Sequence, residues 1–222
     1  MREAYFDQLS SLIDDLVAMT HDVRDSIGQA SKALLHADVD LAEQVISADA
    51  EIDAARQRVE ERAFELLALQ QPVARDLRML VAALRMVGEL ERMGDLSVHV
   101  AKVARRRVPD VAVPAELLPT MERMAQVAEQ MVGTVAGIIA ERDVDGARVL
   151  EQADDEMDQL RRSSFRLTLV DSWPHGVEPA VDIALLGRFY ERIADHAVSL
   201  ARRVVYLVTG EKPLVAEASV TR

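Results

Sequence analysis

The feature that most constrains this chain is that it is written twice. Glu91-Arg92-Met93-Gly94-Asp95 returns one hundred residues later as Glu191-Arg192-Ile193-Ala194-Asp195, and the match continues to Val98/Val198 and Ala101/Ala201. Asp38-Val39-Asp40 returns as Asp143-Val144-Asp145, and Ala48-Asp49-Ala50-Glu51-Ile52-Asp53 as Ala153-Asp154-Asp155-Glu156-Met157-Asp158, both 105 positions apart. The second copy is thus about five residues shorter around its helix-to-helix turn. Two copies of a three-helix unit are the economical reading, because a helical repeat array needs a shorter period and more copies.

The remaining sequence says what those units are made of. Half of the 222 residues are apolar but only 4% are aromatic, so Ala, Leu and Val carry the interior. That favours closely packed helices over a β-sandwich. The chain has no cysteine, which excludes disulfides, thiolate zinc sites and cysteine nucleophiles. A net charge of −12 argues against a nucleic-acid or anionic-membrane partner. Met1-Arg2-Glu3 mixes charge with apolar residues, unlike a signal peptide, and no apolar run approaches a membrane span. A soluble intracellular protein, cytoplasmic and without direct membrane insertion, is expected.

The stripe Phe6, Leu9, Ile13, Leu16, Thr20, Val23, Ile27, Ala30, Leu34 steps by three and four, which predicts a long first helix. It breaks at residues 36–40, where Asp40 and Glu43 have capping-box spacing for a second helix running to about Leu69. Gln70-Gln71-Pro72 turns the chain into a third helix that ends in Arg105-Arg106-Arg107, cations that oppose the macrodipole and require no ligand. Pro109, Pro114 and Pro119 mark the domain boundary, and the pattern then recurs: a helix over 115–142, a turn at 143–145, a helix to about Ser172, a turn at Trp173–Gly176 and a last helix to near Gly210. The expected organisation is all-α: a three-helix bundle over 1–108, a linker at 109–114, a second bundle over 115–210 related by an approximate two-fold, and a loose tail at 211–222.

On a helix, positions i and i+4 share a face. Each copy therefore sets paired carboxylates side by side twice: Asp49/Asp53 and Glu91/Asp95 in the first, Asp154/Asp158 and Glu191/Asp195 in the second. In the first copy these pairs lie about 18–22 residues before the Pro72 turn and about 20–24 after it. At about 1.5 Å per residue they reach the same height on neighbouring antiparallel helices. The second copy gives the same agreement about its own turn. Four carboxylates in one place repel and raise one another's pKa unless a cation compensates them. An all-oxygen set suits hard cations such as magnesium, manganese, calcium or iron. The plainer reading is a solvated helix edge paired with Arg92, Arg192 or another basic residue. No histidine has an acid three residues before it, as the Glu-x-x-His of a ferritin-like di-iron centre requires, and His99 and His196 read as surface or packing residues. Gly94 and Ala194, being small, predict close approach of a neighbouring helix. Arg75-Asp76-Leu77-Arg78 reads as an intrahelical pair or a partner-binding edge.

Taken together, these motifs over roughly residues 1–210 resemble the PhoU family of phosphate-signalling proteins. The resemblance rests on Glu91–Asp95 and Glu191–Asp195, on the acid pairs that precede them, and on Pro72-Val73-Ala74-Arg75-Asp76-Leu77-Arg78, which is similar to the family's Pro-x-Ala-x-Asp-Leu-Arg entry to the third helix. Two positions depart from the family pattern: Ala194 stands where glycine is usual, and Asp49 where glutamate is frequent. The resemblance implies a negative regulator of phosphate uptake and of the phosphate-starvation response, not an enzyme. It implies an adaptor between the phosphate-specific ABC transporter and a membrane sensor histidine kinase. It further implies a homodimer, with iron, manganese, magnesium or zinc clusters on Asp49, Asp53, Glu91, Asp95, Asp154, Asp158, Glu191 and Asp195. A carboxylate-bridged metalloenzyme and a metal-free helical interaction protein are the competing readings of the residues alone.

Overall fold

The structure, a computed structural model, describes residues 2–210; the expected tail at 211–222 lies outside the described residues. Six long helices make up the fold, with no strand among the described residues: α1 (Arg2–His36), α2 (Val39–Gln70), α3 (Ala74–Arg107), α4 (Leu118–Glu141), α5 (Val144–Thr168) and α6 (Val177–Thr209). A short 3-10 turn at Ala115–Leu117 leads into α4, so that helix begins later than its prolines suggest, with Pro119 in its first turn. The α5 helix stops at Thr168 rather than near Ser172. Residues 169–176 form successive turns instead, pinned by the Trp173 indole, which donates to the Gly176 carbonyl at 2.7 Å.

The repeat reaches down to backbone conformation. Asp38 caps α2, its carboxylate accepting from the Leu41 amide at 3.0 Å. Asp143 caps α5 in the same way, accepting from Asp145 and Gly146 at 3.1 and 3.0 Å. The cap is therefore Asp38, two residues before the Asp40 expected from capping-box spacing. Ala37 and Arg142, directly ahead of the caps, both take left-handed φ angles of 51° and 55°. That turn fixes where each helix can begin, and the acid next in line satisfies its free amides.

Helices α1, α2 and α3 pack on one another, as do α4, α5 and α6. The two bundles then join through α1 against α4 and α3 against α6, so a single apolar core runs through both halves. All members of the α1 stripe are buried except Phe6, which is half exposed near the start of the helix. Leu12, Met19 and Ala33 are buried beside the stripe, because α1 meets α4 as well as its own bundle.

The contacts between halves show an approximate two-fold. On one side, α1 and α4 approach each other closely at Gly28 and Gly133, which occupy equivalent positions in the repeat. A Cβ on Gly28 would stand 3.3 Å from the Glu129 side chain, and one on Gly133 would stand 3.4 Å from Arg24. Arg24 and Glu129 are themselves equivalents, so each copy covers the other's glycine. On the other side, α3 and α6 run antiparallel. Arg78 lies over the Tyr206 ring, Glu89 meets His196, His99 stacks on Phe189 with centroids 5.3 Å apart, and Arg106 meets Asp182. In that register Glu91 and Asp95 stand level with Asp195 and Glu191.

Polar contacts also tie the halves together. Ser31 donates to the Ile27 carbonyl at 2.7 Å, leaving the fully buried Tyr190 hydroxyl to donate to Ser31 at 2.8 Å. Asp182, only 1% exposed, accepts from Arg106 at 2.6 Å and from Arg107 at 2.5 Å. Arg107 also reaches Glu178 at 2.6 Å, while Arg105 turns back to Glu43 of its own half at 3.1 Å. The arginine run thus does more than cap α3: it neutralises a buried acid in the first turns of α6.

Candidate metal centre

Each set of four carboxylates lies along the seam between a bundle's second and third helices. In the first half, Gly94 makes the seam possible. A Cβ there would come 3.2 Å from both Cδ1 and Cγ2 of Ile52 and 3.8 Å from Oδ1 of Asp49. The sequence's small residue therefore marks the close approach of α2 and α3, and it lies beside an expected ligand. In the second half the pair is Met157 and Ala194, both fully buried. An unbranched methionine bends away from a methyl group that the two branches of isoleucine would strike. The exchange of Ile/Gly for Met/Ala preserves the seam.

Burial and like charge act together on the acids of each set. Burial raises the Asp49 carboxyl above its ordinary pKa, and Asp95 and Asp53 raise it further, while Lys102 and His99 pull it down. Glu91 is raised by burial and then by Asp95, against Arg92 and Arg56. In the second half, burial together with Asp195, Asp158, Asp155 and Glu191 pushes Asp154 up to about 6. Burial and Glu191 raise Asp195 likewise, against Arg188 and His196. All eight sequence-predicted acids therefore fall into two mutually repelling sets of four, Asp49/Asp53/Glu91/Asp95 and Asp154/Asp158/Glu191/Asp195.

As the side chains stand, no three His, Asp or Glu among the described residues close on a common point. Several of the acids are turned to arginines instead. Arg92 lies 3.7 Å from Glu91 and 3.5 Å from Asp95, and Arg56 lies 4.0 Å from Asp53. Arg162 donates to Asp158 at 2.6 Å, Arg161 approaches Glu191 at 3.2 Å, and Arg188 donates to Glu191. Asp49, Asp154 and Asp195 make no ion pair among the described residues. The oxygen-only donor set, with Asp49, Asp154 and Asp195 left uncompensated and a glycine or alanine at the seam beside each set, fits a hard cation.

Two histidines and one motif take definite places. His196 is not a bare surface residue: its Nδ1 meets Glu89 at 2.6 Å, and Arg203 donates to the same carboxylate at 2.6 Å. These partners, His196 foremost, hold Glu89 below the ordinary glutamate range. His99 packs on Phe189, as a packing histidine would. In the Arg75–Arg78 motif, Arg78 reaches across to Tyr206 of α6, so it serves the joint between halves and not an intrahelical pair. The inter-half acids Glu89 and Asp182 and the second-half arginines escaped the sequence reading. The arginines carried a legible signal, since Arg162 and Arg188 replace Gln57 and Gly88 of the first copy.

The family model for the PhoU domain matches twice, over residues 16–104 and 121–204. Phosphate-specific transport system accessory protein PhoU homolog 2 of Mycobacterium tuberculosis is 46% identical over 213 residues, covering 96% of this chain and 100% of the relative. Homolog 1 of the same organism is 42% identical over 219 residues, covering 99% of each. The crystal structure of PhoU from Pseudomonas aeruginosa superposes with a TM-score of 0.87 at 28% identity, over 93% of this chain and 100% of that one. With two matched domains, relatives alike from end to end and the same fold, the chain belongs to the PhoU family.

Proposed function

We propose that this protein regulates phosphate transport, holding uptake and the phosphate-starvation response in check while phosphate is plentiful. The family and the names of its relatives, accessory proteins of the phosphate-specific transport system, support that role. In the finer reading it is a cytoplasmic, homodimeric, metal-binding adaptor between the phosphate ABC transporter and a membrane sensor histidine kinase. No described helix is long and apolar enough to cross a membrane, so contact with those partners would be made by docking. The observation that carries the adaptor reading is the pair of level, equivalent carboxylate faces on a helical scaffold joined through one core. A bound cation would cross-link the second and third helices of each half and convert a repelling acidic face into a rigid, charge-compensated one. Such a surface presents a partner with fixed geometry and needs no turnover.

The test uses a deletion strain carrying a reporter under a phosphate-starvation promoter. Wild-type protein should repress the reporter in high phosphate, and loss of the gene should derepress it. The Asp95→Asn plus Asp195→Asn variant should fold, bind Mn²⁺ more weakly and repress less well, because an amide oxygen is a poorer ligand for a hard cation than a carboxylate. A deletion that leaves the reporter repressed and phosphate uptake unchanged would overturn the regulatory reading.

A further inference from the structure

The two copies differ where their carboxylates meet counter-charges. Arg56 and Arg161 are equivalents, as are Arg92 and Arg192, but Arg162 and Arg188 belong to the second copy alone. Their places in the first copy are taken by Gln57 and Gly88. In the first half the available guanidiniums stand off at 3.5–4.0 Å, and Arg56 gives its hydrogen bonds to Glu60 at 2.9 and 3.0 Å. In the second half Arg162 donates directly to Asp158 at 2.6 Å, Arg188 donates to Glu191, and Arg161 adds a contact at 3.2 Å. The Glu191 side chain is left 12% exposed, against 25% for Glu91.

We propose that the two halves are inequivalent toward cations: the first carboxylate set is an open site, and the second is latched by Arg162 and Arg188, which a cation must displace to enter. This rests on the cation reading given above and goes beyond it by ordering the two sites. A guanidinium in charge-assisted contact occupies the lone pairs that a metal would use, so its release is subtracted from the affinity of the second site. The first set offers no such competitor at Asp49 and only distant ones elsewhere. Cation loading then proceeds in two steps, with an intermediate in which only the α2/α3 face is cross-linked. A regulator built this way has three cation states, not two.

Mn²⁺ titration of single-site proteins tests this. Asp158→Asn plus Asp195→Asn leaves only the first site, and Asp53→Asn plus Asp95→Asn leaves only the second. By calorimetry at moderate salt, the first site should bind Mn²⁺ about tenfold more tightly, roughly what two competing surface ion pairs can supply. Adding Arg162→Gln and Arg188→Gln to the second-site protein should tighten its binding by about the same factor. The mirror exchange, Gln57→Arg plus Gly88→Arg in the first-site protein, should weaken that site. Gly88 has room for a side chain, with nothing within 4 Å of an added Cβ. A readout without metal accompanies these. Arg162→Gln plus Arg188→Gln in the otherwise native chain should lower the melting temperature of chelator-treated protein, more so at low salt than at high. Equal affinities at the two sites, or a second site indifferent to loss of its arginines, overturn the latch and leave the cation reading standing. Mn²⁺ bound by neither single-site protein nor the native chain overturns both. If the arginine-to-glutamine protein fails to fold, the mirror exchange decides alone: an unweakened first site refutes the latch.

Discussion

Asp154 offers the sharpest test of the burial and repulsion that act on the carboxylate sets. Its carboxyl is pushed from the ordinary 3.8 up to about 6, first by burial and then by Asp195, Asp158, Asp155 and Glu191. The folded chain therefore holds the Asp154 proton more tightly than the unfolded chain, and the metal-free protein gains stability as pH falls through about 6 toward 4. Above that window the charge is a burden on the fold. At about 1.4 kcal/mol per pKa unit the gross burden is about 3 kcal/mol, which solvent screening of a partly exposed group reduces to about 1–2 kcal/mol. Asp154→Asn keeps the shape and removes the charge. The chelator-treated variant should therefore melt about 2–8 °C above wild type at pH 7.5, given roughly 2–4 °C per kcal/mol for a chain of this size. Near pH 4 the advantage should vanish, because wild-type Asp154 is then neutral in the fold. Melts followed by circular dichroism from pH 4 to 8 make the measurement. A variant no more stable than wild type at pH 7.5, or equally favoured at pH 4, would refute the reasoning.

Other substitutions probe the scaffold. Arg106→Ala plus Arg107→Ala strands the buried Asp182 carboxylate and should cost about 3–5 kcal/mol in urea unfolding. Asp182→Asn should cost less, since the arginines it frees reach solvent. Gly94→Val should cost about 1–3 kcal/mol by overpacking against Ile52 and should weaken Mn²⁺ binding at the first site. Gly94→Ala plus Ile52→Met, which installs the second half's own pair, should recover both in the same assays.

Much of this was legible in the sequence, for reasons that particular residues make plain. Side chains at a helical repeat report which face is buried, and equal counts about Pro72 and about Trp173–Gly176 placed the acids of neighbouring helices level. The structure's two repelling sets agree with those counts. Gly94 announced a close approach, and Ile52 supplies it. The misses lie where one signal has two outcomes. Asp38 and Asp40 can each cap a helix, and the left-handed turn at Ala37 chose between them. Arg105–Arg107 suit a helix end whether or not an acid lies opposite. Asp182, in the second turn of α6, reads as an ordinary surface acid until α3 is laid against it. Contacts between halves depend on how the copies meet, which periodicity within one copy does not encode. Gly28 and Gly133 did carry that information, as a further pair 105 residues apart.

Each half is proposed to build a cation site from four carboxylates on two helices. Crystals of the full chain grown with Mn²⁺ test it most directly, through anomalous scattering recorded near the manganese edge. Peaks are expected on both seams, among Asp49, Asp53, Glu91 and Asp95 and among Asp154, Asp158, Glu191 and Asp195, with the first seam filling at the lower Mn²⁺ concentration. Anomalous maps at saturating Mn²⁺ that are featureless on both seams would contradict it.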